Sequence, residues 1–563
     1  MKNMKRLLCF PFLLFLVGKA DGLSLTLEEK VGQVLMAAMD EETLPRQQAW
    51  IQTGRLGGVL LRHDRFTAKE VLKTTNQIQE WATSSKPRIP VWVAVDHEGG
   101  AVFTQRTLGS AHFPSQMAIA ASPNPDDAYL AAFIIAQELR SMGVHIDFAP
   151  VLDVNNNPDN PVIAIRSYGE NPESVARLGI RAVHGFQNGG VLPVGKHFPG
   201  HGDTRVDSHL GLPIIHHTLT RLEQVELYPF RKAIRAGLPA VMTAHIVFPV
   251  LTGPELPATL SPAVLIGVLR KKLGFKGMIV TDSMDMGAIT GRWPVSQAAT
   301  QALQEGADLI LIGKGSLEET HRAMVQAFRE NRIPLSRLNE AVNHVVGLKR
   351  RLGLFRNPRG NSVWMKRMVG SKAHWRIAQG IADRSITLLK NGGDPLPWEL
   401  RPEETLLLVL SVGSRFRDDA ELLAQEVKKR HPKTEFLAFS PDPSASEIRK
   451  AVRMALPADK VLVGTFQWGK ALQKSQVRLV KKLMEAHPGL VAAALMNPYD
   501  VRSYPEVRGY LVIYGITPCS MKALAKVLFG EFAPRGKLPV GIPGLFPRGS
   551  GLAWKTGNQK AGP

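Results

Sequence analysis

Short apolar segments alternate with helical stretches along the first two thirds of this chain of 563 residues. The helical stretches, such as 126–142 and 172–187, carry apolar residues at the spacing of one helix face. This alternation is typical of parallel βαβ units. The predicted strands are residues 31–38, 57–61, 89–96, 145–150, 191–197, 240–246, 277–282 and 307–312. Eight such units predict an α/β protein with an N-terminal (β/α)8 barrel, although a doubly wound open sheet has the same alternation.

Polar side chains that can take part in chemistry follow several of these predicted strands. Asp96, His197, His245 and Asp282 each stand at or just after the end of an apolar segment. A single acid after a strand is commonly a helix cap. The carboxyl ends of barrel strands open onto one face, so the four positions together favour a barrel with one shared pocket.

The segment 195–209 reads GKHFPGHGDTRVDSH and has the glycine, proline and polar content of a loop. Asp207 stands two positions before His209, close enough to orient the imidazole while it transfers a proton. Two other interpretations stay open. The loop also offers nitrogen and oxygen donors for zinc, but the chain has no HExxH motif and no cysteine pair beside it. The donors would be His197, His201, Asp203 and His209. The second interpretation is that this is a surface loop whose histidines have no catalytic or metal-binding role.

KHFPGHGDT followed by DSH resembles the signature of the β-N-acetylglucosaminidases of glycoside hydrolase family 3. The resemblance implies that Asp282, in IVTDSMDM, is the nucleophile and that Asp207 and His209 form the acid/base dyad. Asp285 is the rival nucleophile, three residues further on. No metal or other cofactor is expected, because the carboxylate nucleophile and the histidine acid supply the chemistry. The resemblance also implies a set of sugar contacts. The sugar contacts are Asp96 in VDHEGG, Arg106, Arg166 in IRSYGENP, and Lys196 with His197 at the head of the loop.

After residue 353 the composition changes. The stretch 356–367 contains Pro, Gly, Asn and Ser, as linkers do. RSITLLKNGGDPLP and the closing VLFGEFAPRGKLPVGIP also resemble family 3 sequences. Predicted strands at 405–412, 434–440, 460–466, 490–496 and 510–514 indicate a second α/β sandwich domain with a largely parallel sheet. We therefore expect a barrel over 21–355, a linker over 356–375 and the sandwich over 376–563.

Residues 1–20 have the three parts of a secretory signal: early basic residues, an apolar run over 7–17 and a small-x-small sequence at 18–20. An uncleaved anchor is the alternative, but the run is short for a bilayer. Cleavage would give an exported protein that begins near Asp21. It would also remove Cys9, leave Cys519 as a single free thiol and leave no stable membrane span.

The chain has a formal net charge of +21, and from residue 376 onward 28 Lys and Arg stand against 17 Asp and Glu, a net +11. An exported basic protein is attracted to polyanions, so an anionic cell-wall polymer is the expected partner. Nucleic acid is not expected, because no basic motif is interleaved with aromatic residues. The alternative is that the charge only keeps the protein soluble.

The resemblance to family 3 implies a retaining exo-β-N-acetylglucosaminidase. Export and the basic second domain favour an enzyme that is secreted or associated with the cell envelope and acts on peptidoglycan fragments (muropeptides). A family 3 β-glucosidase is the first alternative, but those enzymes lack this loop and generally take their acid from a glutamate of the second domain. Phosphorolysis in place of hydrolysis is a second alternative. A histidine acid leaves less negative charge near the anomeric carbon than a glutamate would, so a phosphate anion could approach in place of water. A catalytically idle wall-binding protein is a third.

Overall fold

The computed structural model describes residues 23–40, 42–62, 66–101, 108–467 and 471–554. Within these ranges, the first sheet has eight parallel strands in the order β7-β6-β5-β4-β3-β2-β1-β8. They are β1 Leu35–Met39, β2 Gly58–Leu61, β3 Trp92–Val95, β4 Ile146–Asp147, β5 Leu192–Phe198, β6 Ala240–Thr243, β7 Met278–Thr281 and β8 Ile310–Leu311. Val280 pairs in parallel with Leu309, which brings β7 and β8 together and closes the barrel. The predicted barrel is confirmed, and the open sheet is excluded.

Helices follow the strands and surround the barrel. They are α1 Leu27–Gln33, α2 Gln48–Gln52, α3 Ala68–Ser84, α4 Gln116–Ala121, α5 Asp127–Ser141, α6 Pro172–Gly189, α7 Leu219–Gln224, α8 Leu227–Arg235, α9 Pro249–Thr252, a π-helical segment Ala263–Lys272, α10 Gly287–Thr290, α11 Val295–Gln304, α12 Leu317–Arg329 and α13 Leu335–Arg351. Capping boxes start α1 and α3, in which Thr26 and Thr67 exchange hydrogen bonds with Glu29 and Glu70. The first predicted strand began too early, because Val31 belongs to α1.

The barrel interior is filled by apolar side chains that form a cluster of their own, including Met36, Leu60, Trp92, Phe148, Met242, Val280 and Leu311. Lys349 of α13 is fully buried, and its Nζ donates to Gln33 Oε1 at 2.9 Å and to the Gly57 carbonyl at 3.0 Å. Burial lowers the pKa of Lys349 to about 7. These partners precede β1 and β2 in the chain, so Lys349 lies at the amino ends of the strands.

The second sheet has six strands within the described residues, in the order β11-β10-β12-β13-β14-β9. Its strands are β9 Thr387–Asn391, β10 Leu406–Ser411, β11 Thr434–Phe439, β12 Lys460–Thr465, β13 Val491–Ala494 and β14 Gly509–Val512. The helices beside it are α16 Arg417–Arg430, α17 Ala445–Ala455, α18 Lys474–Ala486 and α19 Pro518–Leu528. Strand β9 was not predicted; it pairs antiparallel with β14, while the other pairs are parallel. The largely parallel α/β sandwich is therefore confirmed.

The segment between the two sheets is folded onto the barrel. It contains α14 Ser362–Met368 and the start of α15 Lys372–Ser385. Glu138 of α5 accepts from the Gly370 amide at 3.1 Å and pairs with His374 at 2.6 Å. The predicted linker is thus a packed connection. Among the described residues, no helix has both the length and the apolarity to cross a membrane.

Side chains of the barrel contact the second domain directly. Ser115 Oγ donates to the Tyr514 carbonyl at 2.6 Å, and Asn155 Nδ2 donates to Tyr499 Oη at 3.3 Å. Glu170 accepts from the Gly541 amide at 2.8 Å. These bonds hold the second domain beside the barrel loops after β3 and β4.

Candidate active site

A cavity of about 530 Å³ lies at the carboxyl ends of the barrel strands. Its lining includes six of the residues predicted from sequence, namely Asp96, Arg166, Lys196, His197, His209 and Asp282. Asp207 is outside the lining but contacts His209. Arg106 falls outside the residues that the structure describes. The parallel strands therefore bring side chains more than 180 positions apart into one pocket, as the barrel topology requires.

Glu98 organises the cationic side of this cavity. Its carboxylate accepts two hydrogen bonds from Arg166, at 2.8 Å from Nε and 2.7 Å from Nη2, and pairs with Lys196 Nζ at 2.7 Å. Burial alone would raise the pKa of Glu98, but Arg166 and Lys196 lower it to about 2. Because the acid is ionised and rigidly held, it fixes both cations in the cavity wall.

Asp96 stands at the rim of the same cluster. Its Oδ1 accepts from Lys196 Nζ at 2.9 Å, and its side chain keeps 32% of its surface exposed. Lys196 thus joins a buried carboxylate and a partly exposed one. A carboxylate that faces the cavity beside an ammonium group is suited to binding sugar hydroxyls.

Asp153 holds the end of β5, which contains residues 195–198 of the predicted loop, and the start of the loop that follows. It accepts from the backbone amides of His197 and His201, the latter at 2.7 Å, and pairs with His197 Nδ1 at 2.7 Å. Burial raises the pKa of Asp153 to about 6 and lowers that of His197 well below its usual range. Arg166 Nη2, which can only donate, lies 3.4 Å from His197 Nε2. The neutral ring therefore carries its proton on Nδ1 and accepts at Nε2.

The Asp207–His209 dyad has the geometry predicted for it. His209 Nδ1 lies 2.7 Å from Asp207 Oδ1, which also accepts from the His209 amide at 2.9 Å. Since a carboxylate only accepts, Nδ1 carries a proton and Nε2 is the nitrogen that can exchange one with a substrate. The His209 side chain is 44% exposed.

The loop that carries this dyad is bound to the segment that follows Asp282. Gly287 N donates to the His209 carbonyl at 3.2 Å, and Ala288 N donates to the Ser208 carbonyl at 3.1 Å. The start of α10 therefore sets the position of the dyad relative to Asp282.

Asp282 directly follows β7 and faces the cavity. Its Oδ1 accepts from the Ser283 amide at 2.7 Å. Burial would raise the pKa of Asp282, but His197, His245 and the Ser283 amide lower it below its ordinary value. An ionised carboxylate with modest hydrogen bonding is suited to nucleophilic attack.

Asp285 has a different environment. Its Oδ1 accepts from Ser283 Oγ at 2.6 Å, and its Oδ2 accepts from the Lys314 amide at 2.8 Å. Oδ1 thus braces the loop after β7 from within, and Oδ2 ties that loop to the one after β8. This geometry favours a structural role for Asp285.

His245, just after β6, is hydrogen bonded to the loop that follows β7. Its Nε2 donates to the Ser283 carbonyl at 3.0 Å, and its Nδ1 lies 2.9 Å from Thr259 Oγ1. Burial lowers the pKa of this histidine, which keeps it neutral. It therefore positions the peptide beside Asp282.

The zinc interpretation is not supported by these contacts. Both ring nitrogens of His201 are hydrogen bonded, Nδ1 to Thr204 Oγ1 at 3.0 Å and Nε2 to Ser208 Oγ at 2.9 Å. Asp203 Oδ2 lies 2.8 Å from Nε2 of His217. In the described part of the chain, the His and acid group compact enough for one ion is Asp203, His217 and Glu226. Arg221 lies 2.8 Å from Glu226 and 3.9 Å from Asp203, so a guanidinium already supplies positive charge there.

Three residues of the site were missed in the sequence. Glu98 stood in the quoted VDHEGG segment, two positions after Asp96, and was a detectable signal. Asp153 follows an apolar stretch, but nothing in the sequence links it to His197. Arg415 lines the cavity from the second domain, in a turn just after β10, and no local pattern places it there.

Comparisons with known proteins agree with this architecture. Residues 26–348 match the Glycosyl hydrolase family 3 N terminal domain, and residues 276–545 match the Glycosyl hydrolase family 3 C-terminal domain. The chain is 29% identical over 539 residues to beta-hexosaminidase A of Pseudoalteromonas piscicida, covering 86% of this chain and 89% of the relative. It is 28% identical over 542 residues to the beta-N-acetylglucosaminidase/beta-glucosidase of Cellulomonas fimi, covering 91% and 93%.

A solved structure is similar over nearly the same length. It is a glycoside hydrolase family 3 beta-N-acetylglucosaminidase from Paenibacillus sp. strain FPU-7, with a TM-score of 0.84 and 35% identity over 92% of this chain and 99% of that one. The match covers both domains, as the two family regions do. The chain therefore belongs to glycosyl hydrolase family 3.

Proposed function

We propose that the protein is a retaining exo-β-N-acetylglucosaminidase, that is, a β-N-acetylhexosaminidase that removes terminal N-acetylglucosamine. The observation that carries the proposal is the meeting of the His209 dyad and Asp282 in one cavity. The names of the two relatives and of the solved structure, with identities of 28–35%, support the same activity.

In the first step, Asp282 attacks the anomeric carbon while the bond to the leaving group breaks. His209 in its charged form gives the Nε2 proton to the departing oxygen. Asp207 stabilises that charged ring through the 2.7 Å contact at Nδ1. The products of this step are a glycosyl ester on Asp282, a free leaving group and a neutral His209.

In the second step, neutral His209 takes a proton from water at Nε2, and the water oxygen attacks the anomeric carbon. The ester bond breaks, Asp282 leaves as a carboxylate, and the charged imidazole is restored. Two displacements at one carbon retain the β configuration. Asp96, Arg166, Lys196 and His197 bind and orient the sugar in both steps.

The most direct test compares para-nitrophenyl N-acetyl-β-glucosaminide with para-nitrophenyl β-glucoside. We expect the N-acetylglucosaminide to be hydrolysed with a much higher kcat/KM. A preference for the glucoside would instead favour a family 3 β-glucosidase. The Cellulomonas fimi relative is named for both activities, so this alternative needs the test. Product analysis with and without phosphate distinguishes hydrolysis from phosphorolysis, since only the latter gives a sugar 1-phosphate.

Peptidoglycan fragments are the proposed natural substrate, and the cell envelope or its exterior is the proposed location. The support is the signal-like sequence of residues 1–20, which lie outside the described residues, and the net charge of +11 from residue 376 onward. An anionic wall polymer is the proposed partner of this basic part. N-terminal sequencing of the protein from the envelope or medium tests the location: a start near Asp21 is expected, and a retained Met1 in membranes would contradict cleavage.

A further inference from the structure

A shallow groove of about 370 Å³ on the second domain has no part in the catalytic cavity. It lies among α15, α16 and α19. We call it the basic groove and define it by its lining residues, Lys372, Trp375, Arg376, Gln379, Glu426, Arg430, Lys522 and Lys526. Five of these eight residues are basic and one is acidic, so the groove is strongly positive.

Helix geometry explains why these side chains share one face. Lys372, Trp375, Arg376 and Gln379 are separated by three, four and seven positions along α15, so they form one stripe of that helix. Lys522 and Lys526 are four positions apart on α19. Two helix faces that carry cations therefore oppose each other across the groove.

Some of the groove's cations already have partners. Lys526 pairs with Asp383 at 2.7 Å, and Arg430 pairs with Glu426 at 3.0 Å and Glu531 at 2.5 Å. By contrast, within the described ranges no ion pair or side-chain hydrogen bond involves Lys372, Arg376 or Lys522. Three positive charges are therefore available to an anionic ligand.

Trp375 gives the groove a flat apolar surface. Its side chain is only partly buried, and its ring lies 5.9 Å from that of His112. The face of a pyranose ring carries C–H groups that stack on an aromatic ring, whereas phosphate or carboxylate groups do not. An aromatic surface beside unpaired cations thus suits a ligand that is both a sugar and an anion.

We infer that the basic groove binds an anionic polysaccharide, with a sugar ring on Trp375 and carboxylate or phosphate groups at Lys372, Arg376 and Lys522. Lys372 and Arg376 are four positions apart, about 6 Å along the helix axis, which is close to the length of one sugar unit. The inference rests on the proposed envelope location, where such polymers are found. The basic groove would hold the enzyme near its substrate, while the reaction takes place in the cavity of the barrel.

The test uses the full chain and two variants of equal charge. One carries Lys372→Ser, Arg376→Ser and Lys522→Ser; the control carries Lys428→Ser, Arg449→Ser and Lys481→Ser, which change exposed basic residues elsewhere in the same domain. Binding is measured by calorimetry at low salt to polygalacturonate, to a glucosylated poly(glycerol phosphate) teichoic acid, to inorganic polyphosphate, to single-stranded DNA and to neutral dextran. Comparing the first two ligands distinguishes carboxylate from phosphate as the recognised group.

We expect the groove variant to bind polygalacturonate or the glucosylated teichoic acid tenfold or more weakly than the wild type, and the control variant to stay within about twofold of the wild type. Trp375→Leu keeps an apolar contact but removes the flat ring, so it should weaken polysaccharide binding and leave polyphosphate binding unchanged. Three outcomes would overturn the inference. They are an equal loss of affinity in both triple variants, wild-type binding to dextran as tight as to the anionic polysaccharides, and tighter wild-type binding to single-stranded DNA than to either of those polysaccharides.

Turnover of para-nitrophenyl N-acetyl-β-glucosaminide and the melting temperature are recorded for every variant. Turnover should match the wild type in every variant, because no groove residue lines the catalytic cavity. The melting temperature should match in both triple variants, whereas Trp375→Leu should lower it somewhat because Trp375 packs against the hydrophobic core. A wild-type protein with no turnover would refute the proposed function while leaving the binding result interpretable. Normal turnover without polymer binding would refute the groove alone.

Discussion

At the scale of single residues, His209 and Asp282 differ in what their loss should do. His209 serves as acid and then as base, while Asp282 forms the covalent bond. Their surroundings match these tasks, since His209 is 44% exposed and held by one carboxylate, and the Asp282 pKa is held below its ordinary value. Kinetics with different leaving groups can therefore separate the two roles.

His209→Ala should retain the first step with an activated aryl leaving group, which departs without a proton. Release of the next product should then stall, giving a burst followed by turnover that is about 10²–10⁴-fold slower. Asp207→Ala should act in the same direction but less severely, because it orients the ring and does not carry the proton. Stopped-flow measurement of aryl release checks this, and His209→Ala with an unchanged steady rate would refute the assignment.

Asp282→Asn should give no burst with any leaving group, because no glycosyl ester can form. Asp285→Asn is the matched comparison: it replaces one of the two oxygens that accept from Ser283 and Lys314 by an NH2 group, which weakens the loop contacts but leaves the attacking carboxylate, so a burst should remain. Trapping with a fluorinated sugar followed by mass spectrometry should label Asp282. A label on Asp285 would reverse the two roles.

The residues that could be predicted from sequence are those whose chemistry is local or carried by a motif. Asp207 and His209 are two positions apart, so their contact needs no knowledge of the fold. Glu98 and Arg166 are 68 positions apart, and Asp153 and His197 are 44 apart. Only the closed barrel brings those pairs together, so the contact between Asp153 and His197 could not be predicted, whereas Glu98 was detectable from its place in VDHEGG but its partner was not.

At the scale of elements, the loop after β5 and the start of α10 act as one unit. A Cβ atom on Gly287 would lie 2.7 Å from the His209 carbonyl oxygen and 3.1 Å from the Leu210 carbonyl carbon. Both atoms are backbone, so the loop would have to move. The glycine is required here by close approach and not by an unusual φ angle.

Gly287→Ala should therefore displace the dyad while most of the barrel stays unchanged. We expect kcat to fall by at least tenfold, since misplacement by about 1 Å can cost 10²-fold. Gly347→Ala is the control, because nothing lies within 4 Å of a Cβ there and alanine favours the interior of α13. Steady-state kinetics and thermal unfolding of both variants provide the check; a normal kcat in Gly287→Ala would show that the contact does not position the dyad.

Strands were predictable where an apolar run ended at a turn, and this applied throughout the barrel. Strand β9 was missed because its buried Leu388 and Leu389 are followed at once by Lys390 and Asn391, and its antiparallel partner lies more than a hundred residues away. Helix α14 was missed because it has only seven residues beside Pro and Gly. In both cases tertiary contacts outweigh a weak local pattern.

At the scale of the whole molecule, Lys349 links barrel packing to the pH dependence of stability. The folded pKa of about 7 lies below the unfolded value of 10.5, so between these pH values the unfolded chain binds more protons than the folded one. Lys349 should therefore contribute a rise in the free energy of unfolding with pH across that window, of roughly a few kcal/mol.

Lys349→Met should remove most of this rise, whatever its effect on stability at a single pH. Lys428→Met, at an exposed position, should leave the slope unchanged. Urea unfolding at pH 7, 8.5 and 10 measures the slopes. If Lys349→Met and the wild type had equal slopes, Lys349 would remain charged in the folded barrel.

Arg415 is the point at which the second domain reaches the catalytic cavity. It lies in the short turn Ser414–Phe416 after β10 and lines the cavity with His209 and Asp282. The neighbouring Arg417 points instead to Glu421 on its own helix, at 3.5 Å, and is absent from that lining. The two arginines therefore form a matched pair in the same segment, one facing the cavity and one facing solvent.

Arg415→Ala should lower kcat/KM for the N-acetylglucosaminide by about tenfold or more, since a hydrogen bond to a charged group contributes roughly 1.5–3 kcal/mol. Arg417→Ala should stay near the wild type, because an exposed ion pair contributes little. Both variants should unfold within a few degrees of the wild type, as neither guanidinium belongs to an apolar core. Equal kcat/KM values for the two variants would mean that Arg415 does not bind substrate. The second domain would then act at this position only by supporting the barrel loops, through contacts such as that of Ser115 with Tyr514.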